Sequence, residues 1–329
     1  MHAISLLSWV ASLSKTMFRT CLLPLVFLFC FFQHSILENP LWDYQRNGPD
    51  TWPHTHDTCE GDAQSPINIR LAKVEYDPHL HPLSLNGYSS NDSAYLWRFS
   101  HNGHTIVAHP PALARLSISG ADLLEEYYLD QIHLHWGYNI YQGSEHTING
   151  IKYPLEMHFV HQSRYSRTLA VLSLLFRIRL EENPSLDELL AIVNETIDSS
   201  ITVERQMNIS RLFPGVSPLR FYRYDGSLTT PPCTEGVRWI ISARFIPIAP
   251  SQWKVFVRNS VSMNFRLTQK LQSRTVTSNF EPESDEDASS SEEDHRSQHS
   301  SVCSHSIPTV LLVFILFCHN FCFFPPIEI

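Results

Sequence analysis

Three histidines on two predicted strands have the types and spacing of a metal site. His133 and His135 are two residues apart, so on a strand their side chains point to the same face. His158 lies on the next predicted strand, beyond a turn-rich loop at residues 138–149, and completes a patch of three imidazoles. Three neutral imidazoles suit Zn²⁺ and leave a fourth position open for water. The pattern therefore predicts a catalytic zinc centre, because a structural zinc site usually has four protein ligands.

Two polar residues occupy positions from which they could orient these ligands. Gln131 lies two residues before His133, and Glu156 lies two residues before His158, so each shares the face of its histidine. Metal-binding histidines usually donate their second N–H to an amide, a carboxylate or a carbonyl. The chain has 18 histidines, so a polar histidine on a solvent-facing strand is the competing interpretation for any single one. The in-phase pairing on both strands favours the metal site.

The elements that must position these residues are mostly predicted strands. Alternating and β-rich runs predict strands at residues 94–99, 105–109, 113–118, 127–135, 155–161, 169–180 and 237–246. One helix is predicted at residues 186–197, where apolar residues recur at helical spacing after a capping-box pattern formed by Ser185 and Glu188. The mixture predicts a mainly β (α+β) fold in a single domain with peripheral short helices.

A set of sequence blocks in a fixed order carries a resemblance to a known family. The blocks are Trp42–Trp52, Gln64–Ile69, Asn102–Thr105, Gln131–Gly137, Gly143–Thr147, Glu156–His158, Leu169–Leu172, Gly226–Glu235, Trp239 and Asn264–Gln269. Through them the chain resembles the α-class carbonic anhydrases, in an extracellular form that is secreted or membrane-anchored. The resemblance implies one domain over residues 36–280, with a large central, mostly antiparallel twisted sheet and an active-site cone that ends at zinc.

The resemblance also implies a reaction, the reversible hydration of carbon dioxide to bicarbonate and a proton. Zinc held by the three histidines would generate a bound hydroxide, which would attack the carbon of CO₂. The Thr229 hydroxyl oxygen would accept a hydrogen bond from the hydroxide. Its own O–H would donate a hydrogen bond to Glu145, which as a carboxylate can only accept. His104 would shuttle the released proton to solvent, because imidazole titrates near neutral pH.

Further site residues follow from the same resemblance. The expected CO₂-binding set is Val160, Val171, Leu228, Thr229, Thr230 and Trp239, whose apolar members would form a hydrophobic wall beside the metal. The backbone carbonyl of Asn264 would accept the second N–H of His135. Sulfonamide-type inhibitors are expected to bind at the zinc.

Two segments are shorter than the family pattern. Residues 162–168 stand where the family has a longer loop and a short helix at the cavity rim, so the rim is expected to be more open. Residues 254–263 are also short, and this could loosen the element that carries Asn264. Neither departure removes a predicted zinc ligand.

The two ends of the chain predict export and attachment to a membrane. Residues 1–35 contain an apolar run after a basic residue, which is typical of a secretory signal peptide. Residues 281–306 form an acidic, serine-rich linker, and residues 307–329 form a hydrophobic tail. The tail contains His319 and Asn320 and is not followed by a basic residue, which favours a glycosylphosphatidylinositol (GPI) signal over a transmembrane helix. We therefore expect the protein at the extracellular face of the cell membrane, with transmembrane and freely secreted forms as alternatives.

Cysteine positions and glycosylation sequons agree with export. Of the seven cysteines only Cys59 and Cys233 fall in the predicted domain, and the resemblance also pairs them, so one disulfide is expected. Sequons that permit N-glycosylation begin at Asn91, Asn194 and Asn208.

The net charge of the chain belongs largely to its linker. The formal net charge is −9, and eight acidic residues lie between positions 281 and 294. No basic patch favours nucleic acid as a partner. Two alternatives to CO₂ hydration are an acatalytic carbonic-anhydrase-like binding module at the cell surface and a zinc hydrolase that acts on esters. The presence of all three zinc ligands, together with Glu145, Thr229 and His104, favours the hydration enzyme.

Overall fold

The computed structural model describes residues 42–88, 94–196, 202–213, 218–258 and 263–282. Its strands are β1 (Asn68–Ile69), β2 (Glu75–Tyr76), β3 (Ser84–Asn86), β4 (Ala94–His101), β5 (Ile106–His109), β6 (Ser117–Ser119), β7 (Tyr127–Trp136), β8 (Thr147–Ile148), β9 (Leu155–Ser163), β10 (Leu169–Ile178), β11 (Val203–Asn208), β12 (Phe221–Ser227), β13 (Glu235–Ser242), β14 (Ile246–Ile248) and β15 (Thr277–Ser278). The α-helices are α1 (Asp187–Thr196) and α2 (Pro250–Val257). Short 3₁₀ helices cover Trp52–His54, Asp57–Glu60, Leu71–Lys73, Pro184–Leu186 and Ile209–Leu212.

Most strands in the described ranges belong to one sheet of 13 strands. Its main path runs β11-β4-β5-β7-β9-β10-β13-β12-β15-β2, and β3, β6 and β14 pair at its sides. The pairings from β11 to β10 are antiparallel, β10 is parallel to β13 and β14, and β12 is antiparallel to β13. The predicted mainly β fold, with a mostly antiparallel sheet and peripheral short helices, is confirmed.

The register of β7 against β9 decides which side chains meet. His133 lies directly opposite His158, and opposed residues of antiparallel strands share a face. A β-bulge between Leu129 and Gln131 shifts this register. Before the bulge, Leu129 pairs with His161 and packs into the main core, whereas Gln131 lies on the face of the predicted ligands. The odd-numbered side chains of this one strand therefore face the core before the bulge and the site after it.

Apolar clusters cover both faces of the sheet. The larger cluster includes the α1 residues Leu189, Leu190, Ile192 and Val193 together with Trp97, Trp136, Phe159, Phe176 and Phe256 from the sheet and α2. The smaller cluster lies on the face of the three histidines and includes Val160, Val171, Tyr224, Trp239 and Ile241. The sheet is thus buried on both faces, which gives the site a rigid support.

The predicted strands differ from the observed ones in two places. The run at 113–118 forms only the short strand β6, and the run at 237–246 divides into β13 and β14. Among the longer strands, β11 and β12 were not predicted, and neither were the short strands β1, β2, β3, β8 and β15. Strand β11 is a polar edge strand in which half of the side chains are exposed, and β12 contains an aspartate and a glycine, which have low strand propensity.

The predicted helix is α1, but its predicted capping box is wrong. The 3₁₀ turn at Pro184–Leu186 precedes the helix, so the cap moves back to Asn183, whose side chain accepts a hydrogen bond from the Ser185 backbone N–H. Glu188 instead accepts a hydrogen bond from Arg211 at 2.8 Å. The proline fixes the chain direction one residue earlier than the capping pattern assumed.

Several predictions fall outside the described residues. They are the signal segment 1–35, the tail 307–329, the sequon at Asn91 and, apart from its first two residues, the linker 281–306. Asn194 is exposed on α1, while the Asn208 side chain accepts a hydrogen bond from the Ser210 N–H at 3.0 Å. Among the helices of the described ranges, none is long and apolar enough to cross a membrane.

Candidate active site

Three imidazole nitrogens converge between β7 and β9. Nε2 of His135 lies 3.1 Å from Nδ1 of His158, and that Nδ1 lies 3.2 Å from Nε2 of His133. All three ligand atoms fall within 4.8 Å of one another. Two ligands bound at the usual length to one tetrahedral zinc ion would lie about 3.3 Å apart. The spacing therefore suits a single ion held by three nitrogens.

Each imidazole donates its outer N–H to an oxygen acceptor. The three bonds run from His133 Nδ1 to Gln131 Oε1 (2.9 Å), from His135 Nδ1 to the Asn264 carbonyl (2.7 Å), and from His158 Nε2 to Glu156 Oε1 (2.7 Å). These acceptors hold the protons on the outer nitrogens, so the inner nitrogens present lone pairs to one another. Lone pairs at this separation repel unless a cation lies between them. The donor set therefore fits Zn²⁺.

Burial favours the neutral form of the His133 and His135 imidazoles, which is the form that binds metal. Burial, with the neighbouring His135 and His158, lowers the pKa of His133 well below its usual range. Burial and His158 lower the pKa of His135 to about 3, against the opposing effect of its bond to Asn264. A proton would therefore not compete with a metal ion for these nitrogens near neutral pH.

Glu156 is a buried carboxylate that is saturated with donors. Its Oε1 accepts hydrogen bonds from the side chains of His146 (2.7 Å), His158 (2.7 Å) and Ser173 (2.6 Å). Its Oε2 accepts the backbone N–H groups of Glu145 (2.7 Å) and His146 (2.8 Å). Burial alone would raise the pKa of Glu156, but electrostatic interactions with His146 and His158, together with the hydrogen bonds that they donate, hold it well below its usual range. The carboxylate is therefore ionised and fixed in position behind His158.

Glu145 is the second buried carboxylate, and it borders the three histidines. Its Oε1 accepts the backbone N–H of Arg266 at 2.8 Å, and its Oε2 lies 3.5 Å from Nε2 of His135. Burial and the negative charge of Glu156 raise the pKa of Glu145 to about 8, while hydrogen bonds from Arg266 and from the Thr229 side chain oppose this rise. The Thr229 side chain therefore lies near enough to Glu145 to affect its pKa, while Glu145 Oε2 itself has no hydrogen-bond partner within 3.5 Å among the described residues.

An apolar wall stands beside the three histidines. Val160, Val171 and Trp239 are buried in the smaller apolar cluster, and Leu228 packs against it. The ring of Trp239 lies 4.8 Å from the ring of His158. Its Nε1 donates to the Ser227 carbonyl at 2.9 Å, so the indole presents only apolar atoms to its other neighbours. The predicted hydrophobic residues are thus brought together from four different strands and turns.

The turn that carries Thr229 is tied down at both ends. Ser65 and Ser227 exchange hydrogen bonds, from Ser65 N to Ser227 Oγ (2.9 Å) and from Ser227 N to Ser65 Oγ (3.0 Å). At the other end, Cys233 forms a disulfide with Cys59, with the two Cα atoms 4.9 Å apart. The predicted disulfide is therefore present. Thr229 is buried, so its hydroxyl is held within the site.

His104 lies next to Trp42, the first of the described residues. Its ring stacks on Trp42, with centroids 3.8 Å apart and planes 12° apart. Its carbonyl accepts a hydrogen bond from the Asn264 side chain (3.0 Å), whose backbone carbonyl holds His135. Burial lowers the pKa of His104, while the charge of Asp43 acts in the opposite direction. The imidazole is half-buried, and the backbone carbonyl of the same residue is linked through Asn264 to His135, a predicted metal ligand.

Comparison with known proteins agrees with this arrangement. The sequence profile of the eukaryotic-type carbonic anhydrases matches residues 47–280. The chain belongs to the eukaryotic-type carbonic anhydrase family. It is 31% identical over 262 residues to carbonic anhydrase 6 of Homo sapiens, covering 73% of this chain and 83% of that protein. It is 32% identical over 263 residues to carbonic anhydrase 1 of Mus musculus, covering 73% and 98% of the two chains.

The two shortened segments of this carbonic anhydrase have different consequences. Residues 162–168 cover the end of β9 and the tight turn at 164–168 that leads to β10, closed by a hydrogen bond from Ser163 N to the Thr168 carbonyl (3.0 Å). Tyr165 at its tip is 90% exposed. The second shortening does not displace Asn264, because its side-chain oxygen accepts the Trp136 N–H at 2.7 Å and its carbonyl still reaches His135. Asn264 thus keeps the bond to His135 that the resemblance implies, while residues 259–262 of the shortened segment lie outside the described residues.

Four residues of this carbonic anhydrase site were not identified from the sequence. They are Trp42 under His104, His146 and Ser173 on Glu156, and Arg266 on Glu145. Three of them lie inside the sequence blocks, but a side chain that acts through a second residue has no spacing pattern of its own. Ser173 lies opposite His158 on β10, so only the strand register reveals it.

Proposed function

We propose that the protein catalyses the reversible hydration of CO₂ at a zinc ion held by His133, His135 and His158. The observation that carries the proposal is that three imidazole lone pairs converge on one position, while the outer N–H group of each imidazole donates a hydrogen bond to an oxygen acceptor. When bound, zinc lowers the pKa of a water ligand, an effect for which carbonic anhydrase is the standard example. The protein's residues then have to orient the nucleophile, receive CO₂ and export a proton.

Thr229 and Glu145 supply the orientation. In its ionised form, which a zinc ion beside it would favour, Glu145 only accepts hydrogen bonds, so the Thr229 hydroxyl would donate to it and be left as an acceptor towards the metal site. An incoming O–H group can therefore bind the Thr229 oxygen only by donating a hydrogen bond to it. The Thr229 oxygen thus selects one orientation of the nucleophile, with a lone pair free to attack carbon.

The apolar wall supplies the place for CO₂. The substrate has no strong hydrogen-bonding group, so contact with Val160, Val171, Leu228 and Trp239 costs it little solvation. Thr230 completes the expected substrate-binding set. Water is a poorer ligand for the same wall, which favours CO₂ next to the metal.

His104 supplies the route for the proton in this proposal. The stacking of its half-buried ring on Trp42, and the bond of its backbone carbonyl to Asn264, support this role. His104→Ala should lower the maximal rate several-fold and have much less effect on CO₂/bicarbonate exchange at equilibrium. Added imidazole buffer should restore part of the rate, because it can carry the proton instead. An unchanged rate without buffer rescue would assign proton export to another group.

The decisive experiment is stopped-flow CO₂ hydration by the zinc-loaded protein, with and without a sulfonamide. The enzyme should be active and inhibited, and Thr229→Val should lose most of the activity while retaining zinc. An inactive protein with one bound zinc would support the acatalytic binding module instead. Hydrolysis of activated esters without CO₂ hydration would support the ester hydrolase.

We also propose that the enzyme is exported and attached to the outer membrane leaflet by GPI. The disulfide supports an oxidising compartment, and the apolar tail after the acidic linker supports the anchor. Phosphatidylinositol-specific phospholipase C should release active enzyme from intact cells. Retention on the membrane, with peptides from residues 307–329 found in the mature protein, would support a transmembrane helix instead.

A further inference from the structure

Arg266 is a buried cation directly behind the site. Only 2% of the residue is exposed. Its Nη1 donates to Gln64 Oε1 (2.8 Å) and to the Ser65 carbonyl (2.9 Å), and its Nη2 donates to the Cys59 carbonyl (2.8 Å). In the described part of the chain the guanidinium forms no ion pair within 4.0 Å. All three bonds therefore go to one stretch, residues 59–65, which we call the brace segment.

The brace segment is also the support of the turn that carries Thr229. Its links to that turn are the Cys59–Cys233 disulfide, the paired hydrogen bonds between Ser65 and Ser227, and the bond from Gln64 Nε2 to the Cys233 carbonyl (3.2 Å). A Cβ at Gly226 would lie 2.1 Å from Ser65 Oγ, so the two stretches touch with no room for a side chain. The position of Thr229 is therefore set relative to the brace segment.

Glu145 is set relative to the same segment through Arg266. The backbone N–H of Arg266 donates to Glu145 Oε1 at 2.8 Å, while its side chain is bonded to the brace segment. One residue thus connects the carboxylate to the support of its hydroxyl partner. Thr229 and Glu145 are 84 positions apart in the chain, and no strand pairing joins the turn at 228–234 to the loop at 143–147.

We infer that Arg266 is a positioning residue that fixes Glu145 against Thr229 by tying both to the brace segment. This inference rests on the proposed role of the Thr229–Glu145 pair in CO₂ hydration. The guanidinium is suited to this role because its rigid fork reaches three acceptors at once, which a lysine ammonium on a flexible stem would not reproduce. Loss of the fork would let Glu145 drift from the Thr229 hydroxyl and would leave the metal ligands in place.

The first test compares Arg266→Lys and Arg266→Gln with Arg274→Gln. Arg274 is a matched control, because its guanidinium also donates to three carbonyls, those of Leu271 (3.0 Å), Asp225 (3.0 Å) and Lys270 (2.8 Å), but none belongs to the brace segment. We expect zinc content to be unchanged in all three variants. Both Arg266 variants should lose about 10- to 100-fold in kcat, the scale of a small misplacement of a catalytic group. The Arg274 variant should stay within about twofold of the wild type, since it leaves Glu145 untouched.

The second test is a double-mutant cycle with Glu145→Gln. If Arg266 acts through Glu145, Arg266→Lys should lower kcat by less than about twofold once Glu145 is already changed. A full, multiplicative loss in that background would overturn the inference. If neither Arg266 variant folds, Gln64→Leu replaces them, because it removes the link from Arg266 to the Cys233 carbonyl and the same non-additivity with Glu145→Gln is expected.

Hydrogen exchange provides a readout that is independent of activity. The Arg266 amide should exchange more slowly than its neighbours in the wild type and at least about tenfold faster in Arg266→Lys, with the amides of β7 and β9 unchanged. A uniform increase across the sheet would indicate a general loss of stability and would contradict positioning. An inactive wild-type protein with bound zinc would overturn the proposed function alone, because the exchange rate still reports the Arg266–Glu145 bond.

Discussion

At the scale of single residues, the site is built from buried polar groups that each have defined partners. Glu156 accepts five hydrogen bonds and is therefore ionised in a place where an isolated carboxylate would not be. The outer N–H group of each histidine donates a hydrogen bond to an oxygen acceptor, in His133, His135 and His158 alike. As a consequence, the lone pairs on the inner nitrogens of the three histidines all point towards one position.

Gln131→Ala tests the role of an orienting partner. It removes the acceptor of the His133 N–H, so the ring can rotate and change tautomer. We expect zinc affinity to fall about 10- to 100-fold, measured by competition with a chelator. Gln206→Ala, on the exposed side of β11, is the control and should leave the affinity unchanged. Equal affinity in the two variants would show that Gln131 does not hold His133.

His161 provides a test of acid stability on the other side of the sheet. It is fully buried beside Tyr88, whose hydroxyl lies 2.6 Å from its Nε2, and burial lowers the pKa of His161 to about 3. Between the unfolded pKa and this value the unfolded chain binds one more proton, so acidification from pH 6.5 to pH 3 destabilises the fold. Denaturant titrations should show that this histidine costs about 2 kcal/mol between pH 7 and pH 5.

The comparison variant is His161→Gln, which has no proton to gain. It is expected to be less stable than the wild type at pH 7, because the packing with Tyr88 is changed, but its stability should fall less on acidification. Parallel pH profiles for the two proteins would contradict the assigned burial of a neutral imidazole.

At the scale of elements, the sheet places the site through its irregularities. The bulge in β7 turns Gln131 towards the ligand face after Leu129 has packed into the core. Close approach at Gly226 lets the brace segment lie against β12. Regular strands alone would satisfy the hydrophobic pattern but would put neither feature where the site needs it.

Gly226→Ala tests the close approach. The added Cβ would meet Ser65 Oγ at 2.1 Å and the Tyr224 ring at 2.8 Å, so the brace segment must shift. We expect a loss of about 1–3 kcal/mol in the free energy of unfolding, together with reduced CO₂ hydration. Gly150→Ala is the control, because its added Cβ meets nothing within 4 Å and only its positive φ is strained. Reduced activity in both variants would show that local crowding at Gly226 is not the cause.

At the scale of the whole molecule, one covalent link joins distant parts of the chain. Cys59 and Cys233 are 174 positions apart, and the disulfide closes a loop that contains all three candidate zinc ligands. The link constrains the unfolded chain and also fixes the brace segment to the turn that carries Thr229. Stability and activity should therefore fall together when it is removed.

The variant Cys59→Ser/Cys233→Ser tests this coupling. The chain-entropy argument predicts a loss of about 3–5 kcal/mol in the free energy of unfolding. The guanidinium concentration at the unfolding midpoint of the variant should lie between the midpoints of the oxidised and the reduced wild type. Peptide mapping should find the Cys59 and Cys233 thiols blocked in the wild type. A reducing agent should have no effect on the variant itself, which controls for other actions of the reagent.

The local pattern of the sequence determined which residues could bind metal and which elements carry them. His133 and His135 in phase on a strand, with Gln131 two residues before, require only the period of a β-strand, and the structure has that strand. The helix α1 likewise follows from its apolar spacing. The predicted capping box of α1 was wrong, because it considered only Ser185 and Glu188. In the structure these two residues bond to Asn183 and Arg211, which lie outside that pattern.

Only the tertiary structure decided how the separate stretches meet. Strand parity would put Leu129 and His133 on the same face, and the bulge separates them. Ser173, Arg266 and Trp42 join the site through pairings between positions far apart in the chain, which local periodicity does not encode. Strand register and buried hydrogen bonds are satisfied by the whole fold together, and they set the angles and distances on which the chemistry depends.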